Sequence, residues 1–340
     1  MVKVPATTAN LGPGFDTLGL ALDLYNDVQV EPIGGTPWDG VAGRAERFPV
    51  EVLIGGEGAG GDERERLTQD ERNLVVRAFL AGWSRWRPQE EVPAVRLRCR
   101  NRIPLSSGLG SSAAAVTAGL LAAAGLCCRL GSIDSSAPAG HQGVTLYRPA
   151  GWLAELLELA TDFEGHPDNV AAALFGGLTV ALRQGNGLAV GRVVPREPVW
   201  AALVVPRFCL GTALSRSILP EKVSRQDAVF NLGRVAWMLL AAAAGNWKEA
   251  GRAMEDRLHE PHRVALVPGL EEALQAAREA GAWGAALSGS GPSIVALTPD
   301  RARAEVVARA MAGAWQRAGV ESRPLWLQAG VPGALDSLIR

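Results

Sequence analysis

Pro104-Leu105-Ser106-Ser107-Gly108-Leu109-Gly110-Ser111-Ser112-Ala113-Ala114-Ala115 is the stretch on which the fold turns. Residues 95–100 before it alternate as a strand does, with Val95, Leu97 and Cys99 on one face, and residues 111–126 are almost all Ala, Val and Leu. A strand therefore feeds a Gly/Ser turn that opens directly into a buried helix. Gly108 and Gly110 let a phosphate approach the main chain, and the free amides of the first helical turn meet it at the positive end of the helix dipole. A nucleoside triphosphate suits such a cradle. The hydroxyls of Ser111 and Ser112 can add a hydrogen bond and a Mg²⁺ contact. The Gly-Lys-Ser/Thr of a Walker A loop is missing, and the only lysines, Lys3, Lys222 and Lys248, lie outside every glycine-rich segment. Phosphate charge must then be met by amides, hydroxyls, arginine or metal.

Two more glycine-rich segments flank this one at a distance. Pro5-Ala-Thr-Thr-Ala-Asn10-Leu-Gly-Pro-Gly-Phe-Asp16 follows a short strand and packs turn formers around an amide and a carboxylate. Ala286-Leu-Ser-Gly-Ser-Gly-Pro-Ser293 sits between two apolar strands, where glycine allows a ligand or another backbone to come close. Between them the periodicity predicts an early strand over 18–31 and a helix over 73–86. Helices follow over 151–163 and 169–175, then a strand over 177–182. Residues 125–148 turn to Gly, Ser, Pro and Cys and read as a surface excursion, and residues 183–191 as turn. Beyond them, strands at 200–205, 284–288 and 293–298 alternate with helices at 226–244, 269–280 and 300–318. The chain is expected to be α+β in two domains, 1–183 and 184–340.

Composition narrows the function. With 340 residues, 48% hydrophobic, the chain can bury the cores of two domains. A formal charge of -1 leaves no footprint for nucleic acid or an acidic membrane, so a small-molecule substrate is expected. The four cysteines lack C-x-x-C spacing and read as reduced thiols. No basic segment leads into an apolar run, and no 18-residue apolar run occurs. A cytoplasmic protein with no membrane partner is expected. His259 and His262 stand three apart with Pro261 between them and no further ligand, which argues against a metal there. The tryptophans read as packing residues.

In order and spacing the three glycine-rich segments resemble the three motifs of the GHMP kinases, the middle one meeting that family's P-x-x-x-G-L-G-S-S phosphate loop. The resemblance spans nearly the whole chain, with residues 125–148 as the main departure. It implies a two-domain GHMP kinase fold: an N-terminal unit like domain 2 of ribosomal protein S5 and a C-terminal ferredoxin-like α+β unit. Finer matches resemble the homoserine kinase branch. Thr7 to Asp16 meets T-S-A-N-L-G-x-G-F-D with Thr8 in place of serine, and His166-Pro-Asp-Asn-Val through Gly176-Gly177 meets a second pattern. Thr212-Ala-Leu-Ser-Arg216 and Glu260-Pro-His-Arg263 are similar to two others.

This resemblance implies transfer of phosphate from ATP to the side-chain hydroxyl of L-homoserine, a step of threonine biosynthesis. Asn10, Asp16, His166, Asp168, Thr212, Arg216, Arg263 and Gly289 are implied to surround homoserine. Asn73 is implied to contact adenine and residues 104–112 to hold the phosphates. Ser112 and Glu158, the latter eight residues before His166, are implied to bind Mg²⁺. Asp16, Asp168, Asn169, Ser112 and Glu158 form the implied catalytic group. The residue types fit the chemistry: arginines grip a planar carboxylate, carboxylates suit an ammonium, and phosphoryl transfer asks for positioning and charge neutralisation. Asp16 and Asp168 both suit the ammonium, so no general base is assigned. A mevalonate- or shikimate-type kinase and an inactive nucleotide sensor are the competing readings, and a homodimer is the expected assembly.

Overall fold

The computed structural model describes residues 1–33, 49–60, 67–129, 143–185 and 187–337. β1 (Val2–Asn10) and β2 (Gly14–Pro32) pair as one long antiparallel arm. β3 (Val50–Gly56), α1 (Leu74–Trp86) and β4 (Val95–Asn101) follow, with β3 parallel to β4. α2 (Ser111–Arg129), β5 (Gly143–Tyr147), α3 (Gly151–Glu164), α4 (Asp168–Phe175), β6 (Leu178–Gln184) and β7 (Gly187–Val194) complete the first half. The second half holds β8 (Val199–Pro206), α5 (Thr212–Ser217), α6 (Arg225–Ala243), α7 (Trp247–Arg252) and α8 (Glu260–Arg263). It ends with α9 (Leu270–Glu279), β9 (Gly284–Leu287), β10 (Ile294–Thr298), α10 (Arg301–Arg317) and β11 (Ser322–Ala329).

Among the described residues eleven strands join in one sheet, with the path β5-β7-β6-β2-β11-β8-β10-β9, and β1 and β4 also pair with β2. β11 closes the seam: it runs antiparallel to β8 over eight residues and touches β2 at Ala329 and Leu22. Two apolar cores lie on this sheet. One gathers the first-half strands with α1 to α4 and runs on to one face of β8 and to α6 and α7, and the other packs α9 and α10 on β8, β9 and β10. Among the described residues no helix is long and apolar enough to cross a membrane.

Most sequence expectations have a counterpart: helix 73–86 is α1, strand 95–100 is β4, and helix 111–126 is α2, prolonged to Arg129. Val95, Leu97 and Cys99 are buried on one face of β4, as the alternation requires. The surface excursion over 125–148 is corrected at both ends, by α2 and by β5, and residues 130–142 lie outside the described residues. Residues 183–191 are not plain turn but the two arms of the β6–β7 hairpin. A division between 183 and 184 falls inside β6, and the chain leaves the first group of strands only after Val194.

α2 carries no charge over its first turns because all but its cleft-facing side is buried: Ala114, Val116, Leu120 and Ala123 are all fully buried. It packs on α1 through small residues. A Cβ on Gly119 would lie 2.3 Å from the Val75 carbonyl oxygen, and one on Gly82 would lie 3.1 Å from Ala123 Cβ. Gly119→Val should therefore force the two helices apart and lower unfolding free energy by about 1–3 kcal/mol or more, read from urea denaturation. Unchanged stability would mean that the helices can separate without loss.

Candidate active site

The three glycine-rich segments meet backbone to backbone. The Thr7 amide donates to Leu109 O (3.1 Å), the Gly289 amide to Ala9 O (3.1 Å) and the Ser293 amide to Ser107 O (3.2 Å). Ser288 Oγ donates to Gly108 O (2.6 Å) and lies 2.8 Å from Thr8 Oγ1. No side chain fits between these strands of loop. A Cβ on Gly108 would lie 2.2 Å from Ser288 O, and one on Gly110 only 1.9 Å from Thr7 Oγ1. The first segment also holds Asn10, Leu11 and Asp16 at positive φ (69°, 50° and 54°), a conformation that costs a non-glycine residue of order 1 kcal/mol. Asn10 stabilises the bend: its side chain accepts from the Asp16 amide (3.0 Å) and donates to Gly289 O (2.8 Å).

A cleft of about 390 Å³ opens over this junction. One end is apolar, lined by Ile54, Leu67, Leu74 and Leu105, and the other is charged, lined by Asp16, His166, Asp168, Arg216 and Arg263. Between them lies the N-terminus of α2, with Gly110, Ser111 and Ser112 on the cleft wall. Asn73 sits at the apolar end as the N-cap of α1, accepting from the Val75 amide (3.0 Å) and donating to Thr68 O (2.7 Å). Its amide is thus largely committed to the fold.

At the charged end, Asp168 is buried at the start of α4. Its Oδ1 meets His166 Nδ1 at 2.5 Å and accepts from the Asn169 amide at 2.6 Å. Burial pulls the His166 imidazole down, but the hydrogen bond and charge of Asp168 outweigh it and raise its pKa above the ordinary value. Asn169 Oδ1 accepts from Thr7 Oγ1 (2.8 Å), which carries the α4 N-terminus to the first segment. Asp16 and Arg216 pair through two bonds, Nη1 to Oδ2 (2.8 Å) and Nη2 to Oδ1 (2.6 Å). Asp16 raises the Arg216 pKa further. Thr212 is exposed at the rim, 3.5 Å from Ser290 Oγ.

Arg263 differs from Arg216. Only 1% exposed, it donates through Nε to Ser215 O (3.3 Å) and through Nη1 to His259 Nδ1 (3.0 Å) and Gly289 O (3.2 Å). Among the described residues it has no carboxylate partner, and Nη2 makes no hydrogen bond. Burial, then the charge of Arg216, lowers its pKa. A buried cation without a counter-ion is a receptor for an anionic group.

Comparison with known proteins gives the family. The family model for the GHMP kinases N terminal domain matches residues 73–177, and that for GHMP kinases C terminal matches residues 238–317. Homoserine kinase of Moorella thermoacetica is 41% identical over 322 residues, 94% of each chain. The chain belongs to the homoserine kinase family of GHMP kinases. A homoserine kinase of Synechococcus sp. is 40% identical, covering 95% of this chain and 92% of its own. Among solved structures, homoserine kinase from Cytophaga hutchinsonii has a TM-score of 0.76 at 27% identity, covering 98% of this chain and 96% of that one. Mevalonate kinase of L. major, at 18% identity and a TM-score of 0.64, shares the fold.

Within this GHMP kinase most of the expected site residues converge on the cleft, and Glu158 does not. It lines a separate cavity with Glu155 and Asp162 and accepts from Arg183 Nη1 at 3.4 Å. The α3 carboxylate that lines the cleft is Glu164, the last residue of that helix, whose Oε1 accepts from Ser112 Oγ at 2.5 Å. Six residues along a helix amount to about 9 Å of rise and roughly 240° of turn, which carries Glu158 to the far face. Gly165, in the left-handed conformation, ends α3 there and was the signal that could have marked Glu164. Phe15 and His259 were also missed: the two rings stack at 5.1 Å, and Phe15 lies 5.5 Å from the Arg216 guanidinium and 5.7 Å from that of Arg263. A half-buried aromatic beside a motif aspartate gives no sequence signal beyond packing.

Proposed function

We propose that this kinase transfers the γ-phosphoryl group of ATP to the side-chain hydroxyl of L-homoserine, giving O-phospho-L-homoserine in threonine biosynthesis. The observation that carries the substrate is Arg263, a buried guanidinium lacking a carboxylate at the charged end of a cleft whose middle is a glycine-rich helix N-terminus. Homoserine's carboxylate supplies the missing anion. Its ammonium suits Asp168 and Asp16, whose negative charge is only partly met by His166 and Arg216. The apolar end suits the adenine base, and the α2 amides with Gly108, Gly110 and Ser111 suit the phosphates.

Ser112 and Glu164 fit a Mg²⁺ ion: both are hard oxygen donors, and among the described residues Glu164 has no cationic partner while burial raises its pKa. When bound, Mg²⁺ neutralises charge on the phosphate oxygens. Asn169, Asp168 and His166 keep the acceptor end of the site fixed, and the hydroxyl proton is assigned to no single base. ATP and an amino acid as substrates, and free Cys99 and Cys209, suit the cytoplasm. The two-domain division 1–183 and 184–340 is retained as a proposal, with Val194 as the point where the first group of strands ends.

α6 suggests the assembly. Val229, Leu232, Trp237 and Leu240 are each more than half exposed along one side of it. Arg234, tied to Glu255 at 2.6 Å, is the only charge between Asp227 and Lys248. A second copy of the chain is the occupant that would cover about 17 Å of such a stripe with an identical one, large residues facing Gly233 and Ala236, without stranding a charge.

Arg263→Leu should lower kcat/KM for homoserine by about 30- to several-thousand-fold, the loss of a buried charged contact worth roughly 2–5 kcal/mol, in a coupled ADP-release assay. Lysine should restore little of it, lacking the planar fork, and ATP affinity without homoserine should hold. Loss of ATP affinity to the same extent would make Arg263 a phosphate clamp instead. Glu164→Gln should cut turnover by roughly a hundredfold or more and raise the Mg²⁺ requirement, whereas Glu158→Gln should stay near wild type. The reverse ranking would return the metal to Glu158. Light scattering should give twice the chain mass of 35.7 kDa, and Leu232→Glu with Trp237→Glu should halve it. A monomeric wild type at micromolar concentration would exclude the α6 interface.

A further inference from the structure

His259 is 0% exposed and stands between the first glycine-rich segment and Arg263. Its Nε2 lies 2.7 Å from Gly12 O, which can only accept, so the ring proton sits on Nε2. Its Nδ1 lies 3.0 Å from Arg263 Nη1, which can only donate, so Nδ1 must carry a lone pair. Both partners thus demand one neutral tautomer. Phe15 stacks on the ring and closes it from solvent.

Resting on the homoserine reading above, we propose that His259 is a positioning residue: its Nδ1 lone pair fixes the Arg263 guanidinium against Gly289 O and leaves Nη2 directed to the substrate carboxylate. Arg263 is otherwise tied only to main-chain carbonyls of Ser215 and Gly289, acceptors that also bind it at 3.2 Å or more. His259 supplies its shortest bond and couples its orientation to the Gly12 turn, three residues before Phe15 and four before Asp16.

The groups facing the imidazole explain why it remains neutral. Asp256, 3.6 Å from Nε2, favours the charged ring, as does the more distant Asp16. Asp256 is itself saturated, accepting from Asn231 Nδ2 and from the amides of Leu258, His259 and Glu260. Glu260, on the same helix, accepts from the Leu287 amide, and burial pushes its carboxyl up to about 8. Against these stand burial of the ring and the Arg263 charge, and the pKa of His259 falls below the ordinary imidazole range. Protonation would remove the acceptor and set imidazolium against guanidinium.

Two isosteres separate the ring's two bonds. His259→Gln places an amide near Nε2 and keeps the Gly12 contact without an acceptor for Arg263, whereas His259→Asn places a carbonyl near Nδ1 and keeps the acceptor. His259→Gln should raise KM for homoserine about ten- to hundredfold with kcat and KM for ATP little changed, and His259→Asn should restore most of it. In the wild type, KM for homoserine should climb on the acid side of the ordinary imidazole range, and the climb should be absent in His259→Asn. The pH arm stands even if a variant fails to fold. Equal losses in both variants, a parallel rise in KM for ATP, or a flat wild-type acid limb would make His259 a packing residue and overturn the proposal. A wild-type protein silent on homoserine would instead defeat the substrate assignment.

Discussion

The site depends on three loops approaching more closely than side chains permit. Gly108 against Ser288, Leu109 bonded to Thr7, and Gly289 bonded to Ala9 are contacts between main chains, each leaving less than the room a Cβ needs or spending a main-chain hydrogen bond on a neighbour, and Gly110 leaves room only for the Thr7 hydroxyl. Packed this way, residues from three distant parts of the chain share one rigid floor, and α2 is aimed by that floor rather than by a loop of its own. The left-handed residues Asn10, Leu11 and Asp16 follow from the same constraint, since a bend this tight around Gly12 leaves no room for extended backbone.

Electrostatics is laid over that floor asymmetrically. Arg216 is satisfied by Asp16 in a two-bond pair at the half-open rim, whereas Arg263 is buried with neutral acceptors only. The first arrangement can open and re-form with solvent available; the second cannot relax, and so keeps its potential for an incoming anion. Neutral histidine is well suited to such a place, because it orients a cation without cancelling it.

How much of this was legible in the sequence depends on whether the signal was local. The strand, glycine turn and apolar helix around residues 95–126 were readable because periodicity and turn chemistry are local properties. Gly119 and Gly82, read only as helix residues, turn out to set the α1–α2 distance. Strands β3, β5 and β11 escaped because each takes its conformation from a partner far along the chain, and β7 escaped because the turn formers of its hairpin with β6 masked both arms. Glu158 was misplaced for a related reason: residue counting back from His166 ignores that the chain is helical to Glu164 and then reverses at Gly165. The spacing of His259 and His262 argues against a metal pair but gives no sign of what His259 does instead, because His262 is exposed while the neighbours of His259 in space are Gly12 and Arg263.

β11 has a consequence for how the molecule is made. It follows every other strand in the chain yet lies in the interior of the sheet, beside β2 and β8, and the residues after it thread on tightly: Gly330 donates to Ala21 O, and Val331 O accepts from Gly177. A Cβ on Gly333 would lie 2.2 Å from Leu174 O. On the ribosome, then, β8 emerges with one edge unpaired over eight residues, and it waits for the final strand to fill that edge and reach Leu22 of β2. Contacts of that sequence separation form slowly. Until residues 322–333 emerge, the nascent chain has this open edge, and the cleft, whose walls come from both sides of the seam, has no fixed width.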